Sequence, residues 1–128
     1  ESDRFLFYTK INKGLDLRSI SKTEEELVDR FGKLPKETMT YLNLARLKIL
    51  LKDTIVQSLS IHRGYVDFVL EQKKADGSFI NKALTYENPL ITNRKFKETK
   101  IGFSFVLFFN EGFDWYENIY KTINLFRG

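Results

Sequence analysis

Residues 35–52, PKETMTYLNLARLKILLK, leave few choices for what surrounds them. Met39, Leu42, Ala45 and Ile49 form one helical stripe, and Tyr41, Leu44, Leu47, Leu50 and Leu51 widen it around the axis. Only Lys36, Glu37, Asn43, Arg46 and Lys48 interrupt it. A helix apolar over so much of its circumference has to be covered on several sides, so it is central to a small domain. The 128 residues are most simply one such domain, which buries roughly two-thirds of the surface its unfolded chain exposes.

The helix is entered through Phe31-Gly32-Lys33-Leu34-Pro35. Gly-Lys here has the look of a phosphate-binding loop, but that loop needs a second glycine five residues earlier and a hydroxyl after the lysine. Leu27 and Leu34 occupy those positions, so the nucleotide-binding reading fails twice. The segment is instead a helix stop followed by a helix start. Gly32 supplies the left-handed C′ residue that closes a helix over 23–31, and Pro35 is pre-set for the first turn of the next. Thr23 and Glu26 have capping-box spacing, and Glu24, Glu25 and Glu26 suit the positive end of a helix beginning there. Leu27, Val28 and Phe31 form its buried side.

Elsewhere the periods are shorter. Phe5, Tyr8 and Ile11 at three-residue spacing, with Asp3 to cap and Gly14 to end, predict a helix over 4–11. Alternation in 55–61 and 65–70 around His62-Arg63-Gly64 predicts a β-hairpin with positive φ at Gly64. A short helix follows over 77–86, capped by Asp76 or Ser78. A basic connector leads to the near-continuous apolar run 101–108, expected as a central strand covered on both faces. An amphipathic helix over 114–126 ends the chain. These elements make an α+β fold, a single domain with helices packed on a small, mainly antiparallel β-sheet.

The inventory of reactive groups is thin. There is no cysteine, which excludes disulfides and zinc–thiolate sites and fits a reducing cytoplasm. The one histidine, His62, is expected as an exposed turn residue rather than a base or ligand. No HExxH, GxSxG or calcium-loop pattern occurs. The 12 phenylalanines, among them Phe103, Phe105 and Phe108, read as core rather than as a stacking surface for bases. No signal peptide or spanning run is visible, and the start at Glu1 suggests a piece of a longer protein.

Two charged groups remain. The net charge of +4 is spread along the chain, and its densest basic run is Arg94, Lys95, Lys97 and Lys100. That run fits a solvated connector or a phosphate-contacting patch. Among the acids, Glu26 and Asp29 at i, i+3 project from one side and are spaced to meet arginines of a partner. A solvated helix face fits them as well. A metal site does not, because no histidine or second acidic segment lies nearby in sequence.

Together, EELVDRFGKLP followed by YLNLARLKILLK resembles the C-terminal domain of bacterial transcription-repair coupling factors (the Mfd family). That family has an acidic E-L-[IV]-D-R-F-G-x-[LP]-P helix and then a helix with A-R-L-[KR]. Arg4 and FYTKI match its upstream R-L-x-x-Y-[KR]-[KR]-[IL] segment, with Thr9 in place of a basic residue. Beyond Lys52 the likeness is only in the order of elements. The resemblance implies a cytoplasmic factor whose ATP-dependent DNA translocase motor lies outside this segment. This domain would then have no catalytic role and no cofactor. It also implies docking on the factor's N-terminal UvrB-like module, masking of that module's UvrA-binding surface, and an indirect link to stalled RNA polymerase. The family's contact acids correspond to Glu26 and Asp29. Direct DNA binding by the domain is not expected on this reading, and no membrane is involved. The alternative is a nucleic-acid-binding module that uses Arg94, Lys95, Lys97 and Lys100.

Overall fold

The computed structural model describes residues 5–10, 16–100, 102–110 and 112–127. In chain order the elements are β1 (Phe5–Lys10), α1 (Leu17–Phe31), α2 (Lys36–Leu51), β2 (Val56–His62), β3 (Tyr65–Leu70), α3 (Gly77–Thr85), β4 (Ile91–Glu98), β5 (Phe103–Phe109) and α4 (Trp115–Thr122). Short 3₁₀ turns, Gln72–Lys74 and Ile123–Phe126, follow β3 and α4. The five strands form one sheet in the order β1-β2-β3-β5-β4, antiparallel at every described pairing. The fold is α+β.

Strand alternation turns Leu59, Ile61, Val66, Phe68, Leu70, Phe103, Phe105 and Leu107 to one face, where all are buried. Leu47 and Leu51 of α2, Phe79 and Ala83 of α3, Ile119 of α4 and Phe126 of the final turn complete this core. At its centre Phe105 is met edge-on by Phe79 at 5.6 Å and stacked by Phe96 at 5.0 Å, while Phe126 lies 4.7 Å from Phe68. Each buried phenylalanine contributes about 1.5–3 kcal/mol. The central position expected for α2 holds: within 38–51, only Tyr41 is exposed.

Several sequence expectations are corrected. Residues 5–10 form an edge strand, not a helix, with Tyr8 opposite Ser60 and Thr9 opposite Leu59. The unbroken run Phe5–Tyr8 fits a strand as well as a helix, and pairing with β2 decides it. The expected flanks Asp3, Arg4, Ile11 and Gly14 lie outside the described residues, as does Ile101. The basic connector is also a strand, β4. Its exposed Lys95, Lys97 and Glu98 are what a sheet edge carries to discourage further pairing. The β5 strand is interior to the sheet, but the helices cover it on one face only. Val106 and Phe108 on its other face are half-buried. His62 is also half-buried, ending β2 with its ring stacked on Tyr65 at 4.3 Å. The last helix is shorter than expected and passes into a 3₁₀ turn at Ile123.

Candidate protein-interaction surface

Helix α1 starts earlier than Thr23. Asp16 is its N-cap, with a carboxylate oxygen accepting the Ser19 N–H at 2.8 Å. The Ser19 hydrogen bonds hold the Asp16 carboxyl below its ordinary value. Thr23 is not a cap; its hydroxyl donates to the Ser19 carbonyl at 2.9 Å in mid-helix. Aspartate is the stronger capping residue, and the polar stretch after Leu17 is tolerated because that side of the helix faces water. Glu24, Glu25 and Glu26 consequently sit in the middle of α1, away from the dipole's positive end.

At the other end, Gly32 donates its N–H to the Val28 carbonyl at 2.8 Å. Its φ of 78° is positive as expected, but ψ is −146°, outside the left-handed helical region. Pro35 is the N-cap of α2 rather than its first residue, and its carbonyl accepts from Met39 N–H at 3.1 Å.

α1 lies on α2 with a narrow inner side, where Ile20 is buried and Leu27 half-buried. One acid is committed to this contact. Glu24 accepts from the Arg46 guanidinium of α2, and Arg46 also donates to Asn43 Oδ1 at 3.0 Å. The same guanidinium lies near Tyr116 of α4, where it opposes the rise in phenol pKa that burial causes. Glu25, Glu26 and Asp29 are exposed, with no cation within 4 Å among the described residues. Helical geometry sets Glu26 and Asp29 about 60° apart around the axis and about 4.5 Å apart along it, on the same side.

On other sides of the helix, about 100–160° around the axis from Glu26 and Asp29, α1 exposes apolar surface that sequence reasoning missed. Phe31, expected to face inward, is 67% exposed, and Val28 is 43% exposed. Leu17 and Val28 lie within about 20° of one another around the helix. Tyr41 of α2 adds another ring, 75% exposed. Of the three residues expected on the buried side of α1, Leu27 is half-buried, while Val28 and Phe31 are exposed. Val28 lies about 80° around the axis from Ile20, off the side that meets α2, whereas Phe31 is on the Ile20–Leu27 side but is the last residue of the helix. Ser21, Glu24, Glu25, Val28 and Asp29 line a shallow concavity on this acidic and apolar surface.

The basic run is divided by strand alternation. Arg94 is half-buried on the helix-covered side, where it donates to the Ala83 carbonyl in the last turn of α3. It holds α3 to β4. Lys95 lies on the opposite face, with Nζ 5.3 Å from the centre of the Phe108 ring, and Lys97 follows on that face. Lys100 is exposed in the turn before β5. The four do not form one patch.

The TRCF domain family model matches residues 1–78, more than half of the chain, from before β1 to the start of α3. The chain belongs to the TRCF domain family. It is 31% identical over 132 residues to the transcription-repair-coupling factor of Borreliella burgdorferi (strain ATCC 35210 / DSM 4680 / CIP 102532 / B31), a match that covers 99% of this chain. The chain spans only 11% of the length of that curated relative. No solved structure matches it. In this TRCF domain the family match takes in both α1, with Glu26 and Asp29, and α2, with Arg46. The elements that follow 78, including β4, β5 and α4, lie beyond it.

Proposed function

We propose that this TRCF domain is a regulatory docking domain of a transcription-repair coupling factor. Through Glu26 and Asp29 it binds the factor's N-terminal UvrB-like module and masks the UvrA-binding surface there. The observation that carries this reading is the division of labour on α1. Glu24 is held by Arg46 inside the domain, whereas Glu26 and Asp29 stand exposed on one side with no cation within 4 Å among the described residues. Arginines of the partner would meet the carboxylates, and desolvation at the contact would make those pairs stronger than exposed ones. The domain's role is then binding, not turnover. ATP-dependent translocation along DNA belongs to the rest of the full-length factor, in the cytoplasm.

The test is made in the full-length factor. Glu26→Ala combined with Asp29→Ala is expected to raise UvrA affinity without engagement of RNA polymerase, because the masked surface opens. Unchanged UvrA affinity would count against the proposal. The isolated chain titrated with duplex and single-stranded DNA addresses the alternative. A salt-sensitive complex that tightens when the two acids are removed would favour nucleic-acid binding.

A further inference from the structure

Three segments distant in sequence bring cations to one hollow at the end of the sheet where β2 begins. Lys73 and Lys74 come from the turn after β3, Lys82 from α3 and Arg127 from the segment after the last 3₁₀ turn. Ile55, Phe79 and Leu125, all buried, form its floor, and Asp76 and Ser78 complete the lining. The hollow encloses about 260 Å³, several times the ~30 Å³ share of one water.

The positive charge there is only partly compensated. Lys74 has Glu71 at 3.6 Å, and the Asp76 carboxylate is engaged as the α3 cap by the Phe79 N–H at 3.0 Å. Lys73, Lys82 and Arg127 have no carboxylate within 4 Å among the described residues, and Arg127 donates only to the neutral Asn124 side chain. Like charges gathered around a low-dielectric floor repel one another and focus a positive potential into the hollow. An anion relieves both. A carboxylate presents two oxygens in one plane, whereas a phosphate presents oxygens in several directions, which suits cations arriving from three segments. The positive end of α3 adds to the same potential, although Asp76 fills the cap position itself.

We infer that this hollow binds a phosphate group, either free or within a nucleic-acid backbone. The site is separate from the acidic face of α1, and it does not use Arg94, Lys95, Lys97 or Lys100. The probe is inorganic pyrophosphate, titrated at low salt into the ¹⁵N-labelled 128-residue chain and followed by amide shifts. Saturable shifts are expected at Lys73, Lys74, Ser78, Lys82 and Arg127. Lys73→Gln with Lys82→Gln should weaken binding by about tenfold or more, as expected for the loss of two phosphate contacts. Lys95→Gln with Lys97→Gln should leave it unchanged. If the first variant loses its dispersed spectrum, Lys74→Gln with Arg127→Gln must show the same loss. A short oligothymidylate that displaces pyrophosphate identifies the backbone source, and failure to displace identifies free phosphate. Shifts that do not saturate, wild-type affinity in the Lys73/Lys82 variant, or equal competition by a polyglutamate peptide would overturn the inference.

Discussion

Arg46 of α2 reaches across to Glu24 of α1, 22 residues earlier in the chain, and ties the two helices together by an ion pair with both side chains less than a third exposed. This pair separates the acids of α1 into one that holds the domain together and others left to face outward. Removing one partner of such a charged hydrogen bond costs about 1–3 kcal/mol. Arg46→Ala is therefore expected to lower unfolding stability by that amount in a denaturant titration. A double-mutant cycle with Glu24→Gln should show coupling of roughly 0.5–3 kcal/mol. Additive losses would show that Arg46 acts through packing alone.

Gly32 ends α1 with φ 78° and ψ −146°, in a region that is almost closed to residues with a Cβ. An added Cβ would meet no atom within 4 Å, so the strain would be in the backbone and not in the surroundings. Gly32→Ala is expected to cost about 1–3 kcal/mol. An unchanged denaturation midpoint would show that the helix end relaxes freely.

Gly102 is constrained by its neighbour instead. A Cβ there would lie 2.7 Å from the Leu70 carbonyl oxygen, a backbone atom that cannot move without disturbing the pairing of β3 with β5. Gly102→Ala should destabilise by about 1–3 kcal/mol. Amide exchange should rise first at Val69, Leu70 and Phe103; uniform exchange would point away from this contact.

Much of this fold was legible where the pattern was long or bounded by turn residues. The β3 strand falls on 65–70 as expected, and α2 within a residue of its expected ends. Shorter or more polar segments were decided by tertiary partners. Phe5 to Lys10 became a strand because β2 offers an edge, and 91–98 became one because β5 does. The site was legible in part. Helical spacing places Glu26 and Asp29 on one side, but nothing in the spacing says that Glu24 is the acid Arg46 takes. The exposure of Phe31 was not legible either: it shares the side of Ile20 and Leu27, but it is the last residue of α1.

Asp16 gives the domain an acid-sensitive cap. Its carboxyl is held below the ordinary value of 3.8, chiefly by the Ser19 backbone N–H. A lowered folded-state value means that its contribution is fully present above the unfolded value and is lost as pH falls through the folded one. Asp16→Asn, which keeps a capping oxygen but cannot ionise, should behave like wild type in the spacing of α1 yet lose this part of the acid dependence. Identical acid-unfolding curves below pH about 4 would contradict the assignment.

The central claim is that Glu26 and Asp29 are contact residues for the N-terminal UvrB-like module, and titration of this chain against that separate module tests it most directly. Glu26→Ala with Asp29→Ala is expected to weaken the complex by roughly 1–4 kcal/mol, about five- to a thousandfold in Kd, with a smaller difference at high salt. The variant should unfold at the wild-type denaturant midpoint, because among the described residues neither carboxylate has an ion-pair partner within the domain. A doubly substituted chain that binds the module as tightly as wild type would contradict the account.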